Sequence, residues 1–181
     1  MIRLFAGLAI PPDLADEFER MQGGIPDARW TSRDNFHVTL SFIGEVPEEM
    51  VEDVDEALAS VYAPAFDLQI SGMGSFSQGS DPKVIWFGLA PNLALLGLKN
   101  KVDAALDRYG LPYEKRKYVP HVTLARFRQL PDAQKTVDFM QAHEGIETDP
   151  FRVDEFILYS STSGKNGPVY EPLEYYPLGE Q

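Results

Sequence analysis

His37-Val38-Thr39-Leu40-Ser41-Phe42-Ile43 has an echo in the other half of the chain, His121-Val122-Thr123-Leu124-Ala125-Arg126. The chain holds three histidines, and two of them open the same tetrapeptide. At average residue usage a given histidine precedes Val-Thr-Leu roughly once in a few thousand cases. One such segment is explained as a well-made strand with a histidine near the core; a matched pair is not. Read as strands, both alternate. Val38, Leu40 and Phe42 point to one face and His37, Thr39 and Ser41 to the other, while Val122 and Leu124 oppose His121 and Thr123. Each strand therefore offers an imidazole and a hydroxyl about 7 Å apart on one wall, at a rise near 3.3 Å per residue.

Strands and helices mix on either side of these segments. Leu4 to Ile10 reads as a strand and Pro12 to Met21 as a helix with Leu14, Phe18 and Met21 on one side. His37 to Ile43 is the next strand. From Glu48 to Tyr62, apolar residues at Val51, Val54, Leu58 and Val61 recur three or four apart, as on an amphipathic helix. Phe66 to Ile70 and Lys83 to Leu89 read as strands around a Gly/Ser-rich turn. A helix from Leu93 to Tyr109 is ended by Gly110 and Pro112, and His121 to Phe127 is a strand. Pro131 to Ala142 predicts a helix, and Val153 to Ser160 and Val169 to Leu178 close the chain as strands. No linker or low-complexity stretch divides residues 1–181, so one α+β domain is expected, with the histidine strands in two half-domains that face each other.

Sixteen Lys and Arg stand against twenty-eight Asp and Glu, a net charge of −12. That argues against duplex DNA or any long nucleic acid bound through counterion release. It permits a site that holds one phosphate and a base or two with a few local cations. No cysteine is present, which excludes disulfides and a thiol nucleophile. The apolar start MIRLFAGLAI meets Pro11-Pro12 too early for a signal sequence or a membrane span. A cytoplasmic monomer is expected.

In-line cleavage of a phosphodiester needs a base at the attacking oxygen and an acid at the departing one, on opposite sides of phosphorus. Two imidazoles with ordinary pKa values near 6.5 supply both forms near neutrality. Threonine hydroxyls can donate to the non-bridging oxygens, where charge builds. No metal is required, and no His-Glu spacing suggests one.

The pair of His-x-Thr-x motifs resembles the 2H phosphoesterase superfamily, in particular its RNA 2',3'-cyclic phosphodiesterase branch, also called 2'-5' RNA ligase. Arg3-Leu4-Phe5, His37 to Glu45, Val84-Ile85-Trp86-Phe87-Gly88 and Pro120 to Arg126 carry the likeness over nearly the whole chain. Lys83 departs mildly from it, standing where arginine is more usual. The resemblance implies a bilobal fold with antiparallel-rich sheets facing a central groove, helices outside, no cofactor, and RNA ends or nucleotides bearing a 2',3'-cyclic phosphate as partner. It makes His37 the acid to the leaving 3'-oxygen and His121 the base, and it gives Arg126 a phosphate-binding role; the residues alone leave the order of acid and base open. A 2'-5' ligase, a small cyclic-nucleotide phosphodiesterase and a non-catalytic RNA-end binder remain as rival readings.

Strict alternation places Arg126 on the Val122 face, away from substrate unless a bulge or strand end near Ala125 turns it round. Phe42 holds the matching place after His37, with core packing expected and base stacking as the alternative. Lys115-Arg116-Lys117, Arg126 and Arg128 form the densest basic group. His143, in polar company, reads as surface. Asp34-Asn35 reads as a turn or as a support for His37. Ser160 to Ser163 and Gly164-Lys165-Asn166-Gly167 lack Walker spacing and read as a connection between two strands.

Overall fold

A computed structural model describes residues 1–179. Its first strand, β1 (Ile2–Ala9), keeps Leu4, Ala6 and Leu8 fully buried on one face. Helix α1 (Pro12–Met21) begins on proline, whose missing N–H costs nothing in a first turn, and buries Ala15 and Phe18. A two-residue strand β2 (Arg29–Trp30) follows, then a 3-10 turn over Arg33–Asn35 and the long strand β3 (His37–Val46). The predicted helix from Glu48 is split into a 3-10 turn over Glu48–Met50 and α2 (Val51–Ala59).

Next come β4 (Phe66–Leu68), β5 (Ile70–Gln78) and β6 (Asp81–Leu89). The stretch expected as a Gly/Ser-rich turn is thus mostly a strand. Gly74 serves packing: a Cβ on it would stand 2.3 Å from the Trp86 ring, so the indole lies across bare backbone. The hairpin turn itself falls at Gly79, with φ +64°.

Helix α3 (Leu93–Arg108) is capped by Asn92, whose side chain accepts from the Leu95 N–H at 2.9 Å. It stops at Gly110, φ +66°, where the Leu111 N–H returns to the Leu106 carbonyl at 2.9 Å. Strand β7 (His121–Arg126) precedes α4 (Ala133–His143), capped by Asp132. Strands β8 (Phe151–Val153), β9 (Glu155–Gly164) and β10 (Gly167–Pro177) complete the order.

Two four-stranded antiparallel sheets result, ordered β10-β9-β1-β3 and β2-β7-β6-β5, with β4-β8 as a small third. Each large sheet holds one histidine strand, and β3 and β7 lie beside each other. The mixed helix and antiparallel-sheet class expected from the sequence is the class found. One continuous apolar cluster runs through both sheets and includes Val38, Leu40, Val122 and Leu124, so the walls that carry the histidines are anchored in shared packing. No described helix is long and apolar enough to cross a membrane.

Candidate active site

His37 is held at both ring nitrogens. Its Nδ1 lies 2.7 Å from the Asn35 carbonyl oxygen. A carbonyl only accepts, so in the neutral ring Nδ1 carries the hydrogen and Nε2 keeps its lone pair. Nε2 sits 2.9 Å from Thr39 Oγ1, whose hydroxyl donates to the neutral ring and accepts from the charged one. Gly7 makes room for the imidazole: a Cβ there would come within 2.9 Å of the Val38 carbonyl oxygen and 3.6 Å of His37 Cδ2. Phe5, 4.8 Å away between ring centroids, and Tyr170, edge-on at 5.2 Å, flank the half-buried ring. Burial in this aromatic nest pushes the His37 pKa down to about 4; the Asn35 bond opposes the shift, and the charges of His121 and Arg126 add to it.

His121 repeats the arrangement with different neighbours. Its Nδ1 donates to the Val119 carbonyl at 2.6 Å, again two residues upstream, so the same nitrogen is left with the lone pair. Phe76 stands edge-on at 4.9 Å and Trp86 at 5.7 Å. Burial lowers its pKa too, against the Val119 bond and with help from Arg126. Both imidazoles line one groove.

A second symmetry lies in the backbone. Gly7 of β1 faces Thr39 and Ala6 faces Ser41, so Leu40 has no partner of its own. Likewise Trp86 of β6 faces Thr123 and Ile85 faces Ala125, which leaves Leu124 unpaired. One extra residue in each histidine strand reverses the alternation beyond it. Leu40 and Ser41 are consequently both buried, as are Leu124 and Ala125. This corrects two expectations from strict alternation. Ser41, expected beside His37, is only 1% exposed, and Phe42, expected in the core, is 38% exposed and lines the groove. Arg126 is carried round by the equivalent bulge and lines the same groove.

The groove encloses about 610 Å³ and gathers His37, Thr39, Phe42, His121, Thr123 and Arg126. That volume suits a nucleotide better than a lone phosphate. Arg3, Arg29 and Lys165 complete its cations, and among the described residues no aspartate or glutamate lines it, although the chain as a whole is strongly acidic. Anions are thus attracted to one place on a molecule that repels them elsewhere. Among the described residues, no three His, Cys, Asp or Glu side chains cluster as metal ligands would.

The profile of the LigT-like phosphoesterase family matches residues 8–86 and 89–170. The chain belongs to this family. An RNA 2',3'-cyclic phosphodiesterase of Thermotoga maritima is 33% identical over 150 residues, 81% of this chain and 77% of that protein. Another, of Aeropyrum pernix, is 31% identical over 151 residues, 83% of this chain and 85% of the relative. Escherichia coli LigT, in a crystal structure with 3'-AMP, shares the fold with a TM-score of 0.78 over 99% of both chains at 24% identity.

In this LigT-like chain several sequence candidates lie outside the groove. Lys115 spreads over the Tyr113 ring at 5.1 Å, Arg116 pairs with Glu114, and neither they, Lys117, Arg128 nor Lys83 line it. His143 ends α4, with Nδ1 donating to the Phe139 carbonyl at 2.9 Å. Asn35 does support His37, through its backbone oxygen rather than its side chain, which instead donates to the Pro168 carbonyl at 2.7 Å. The Gly164 to Gly167 segment is the β9-β10 connection, as expected, and it also forms part of the groove rim. Sequence reading missed Gly7, Arg29 and Tyr170; only Phe5 carried a signal, as part of the Arg3-Leu4-Phe5 likeness.

Proposed function

We propose that residues 1–181 form one two-lobed domain that opens a terminal 2',3'-cyclic phosphate of RNA to a 2'-phosphomonoester. The observation that carries this reading is the pair of imidazoles, each with Nδ1 tied to a backbone carbonyl and Nε2 left as the working nitrogen, in one nucleotide-sized cationic groove. The relatives named RNA 2',3'-cyclic phosphodiesterase and the LigT complex with 3'-AMP support the choice of substrate.

His121 Nε2 takes a proton from water as the water oxygen bonds to phosphorus; the bond from phosphorus to O3' breaks, and His37 passes its Nε2 proton to O3'. Proton exchange with solvent resets both rings. Burial alone disfavours imidazolium, and the anionic cyclic phosphate reverses that, so substrate binding brings the acid its proton. Arg126 and the hydroxyls of Thr39 and Thr123 hold the non-bridging oxygens, and Phe42 offers a face to the base.

The test is a short RNA ending in a 2',3'-cyclic phosphate, incubated with EDTA and analysed for the position of the product phosphate. Wild type is expected to give the 2'-phosphate, with kcat/KM lowered about 10²- to 10⁴-fold by His37→Ala or His121→Ala. A 3'-phosphate product, or full activity in either variant, contradicts the reading.

A further inference from the structure

Arg29 is unused by the reaction as described. It stands on β2 directly across from Arg126 on β7. Directly opposed residues of an antiparallel pair share a face with Cβ atoms about 5 Å apart, and like charges in that register destabilise the sheet. Carboxylates are abundant in this chain, and Arg3, Arg33, Arg116 and Arg152 each have one within 4.0 Å. Among the described residues Arg29, Arg126 and Lys165 have none, as is also true of Arg20, Arg108 and Arg128 elsewhere, but these three line one groove. An unpaired arginine couple retained in an acidic protein fits a ligand that carries more than one negative charge.

Arg126 lies on β7, the strand that His121 opens, whereas Arg29 lies one strand out, on β2 at the edge of the sheet. Arg29 therefore lies one strand further out on the same wall. The β9-β10 hairpin, from the other large sheet, lines the same groove: Pro168 accepts from Asn35, Tyr170 lies against His37, and Lys165 of the turn is among the lining residues. A second cationic place therefore lies beyond the one the chemistry needs.

We propose that Arg29 and Lys165 hold the internucleotide phosphodiester that joins the terminal nucleotide to its 5' neighbour, so that the groove reads RNA ends two phosphates at a time. This rests on the cyclic phosphodiesterase reading of the site. It makes oligonucleotide ends better substrates than cyclic mononucleotides without requiring contact to a duplex.

Two dinucleotides ending in a 2',3'-cyclic phosphate test it, one with a normal internucleotide phosphodiester and one with a neutral methylphosphonate. For wild type, kcat/KM is expected to favour the charged linkage about tenfold or more, as one charge-assisted contact implies. Its logarithmic salt slope should be steeper by about 0.7 on the charged dinucleotide. Arg29→Gln should collapse the preference to less than about threefold, Lys165→Gln should reduce it in part, and Arg29→Lys should restore some of it. A wild-type ratio near one, or a loss in Arg29→Gln that is equal on both dinucleotides, overturns the subsite. If wild type turns over neither, the catalytic reading fails separately, and equilibrium binding of the same two dinucleotides decides: weaker binding of only the charged one by Arg29→Gln supports the subsite, and equal weakening overturns it.

Discussion

The β3 half and the β7 half start from one tetrapeptide and reach one backbone design. In each, the histidine Nδ1 donates to the carbonyl two residues upstream, a bulge follows at the leucine, and the residue five places on returns to the groove. What surrounds the two strands differs. Ser41 Oγ donates to Asp103 at 2.8 Å, Asp103 pairs with buried Lys99 at 2.8 Å, and Tyr118 donates to the Thr39 carbonyl at 2.7 Å. The β7 half has Ala125 where Ser41 stands, Thr31 donating to the Thr123 carbonyl at 2.9 Å, and Arg126 where Phe42 stands. The first histidine is braced by polar groups behind its strand and held in an aromatic nest; the second sits beside the cation. Identical motifs are thus set in different surroundings.

The largest effect is expected where the halves differ most in charge. On the proposed mechanism Arg126→Gln removes a donor to developing negative charge, and kcat/KM on a cyclic phosphate should fall about 10²- to 10³-fold. It also removes a positive charge that disfavours imidazolium, so both limbs of the pH profile should move to higher pH. Replacing Phe42 should give neither shift, and an equal shift from Phe42→Leu would break the comparison.

Gly7→Ala sharpens it from the other side. The added methyl would press on the Val38 carbonyl and the His37 ring, and a displacement near 1 Å in a catalytic group costs about 10²-fold in kcat. Wild-type activity in Gly7→Ala would mean that the His37 nest is looser than the contacts imply.

The pH dependence of kcat/KM tests the nests themselves. The base is active above its pKa and the acid below its own, so the profile is a bell with one limb at each pKa. Burial lowers both from the ordinary 6.5, His37 to about 4. Both limbs of kcat/KM should therefore lie below pH 6.5. Those of kcat should lie higher, because the bound phosphate favours imidazolium. A kcat/KM maximum above pH 7 would contradict the burial argument.

The smallest effect belongs to Ser41→Ala, which gives β3 the residue β7 already has. It removes one hydrogen bond to a charged group and should cost about 1.5 kcal/mol, or roughly 3 to 6 °C in melting temperature for a chain of this size. An unchanged melting temperature would show that the Asp103 brace adds nothing to β3.

Local pattern alone makes the α+β class, the helix spans and both histidine strands legible, because a repeated tetrapeptide and three-to-four spacing are properties of neighbouring residues. The side on which Ser41, Phe42 and Arg126 fall is not legible in that way, since a bulge is set by register against β1 or β6 and not by the bulged strand alone. Strand β5 is hidden for a related reason: Gly72, Gly74 and Ser75 look like a turn until Trp86, from the partner strand, is seen to need the space. Arg29 and Tyr170 reach the groove only through sheet order and the arch of β9-β10, which no short stretch of sequence encodes.

The most direct test of the two-histidine account compares leaving groups. A phosphodiester with a p-nitrophenolate leaving group needs no proton at departure, unlike the 3'-oxygen of the cyclic phosphate. His37→Ala is expected to stay within about tenfold of wild type on the aryl ester while losing about 10²- to 10⁴-fold on the cyclic phosphate, and His121→Ala to lose on both. Equal losses on both substrates for both variants, or the reverse pattern, would contradict His37 as acid and His121 as base.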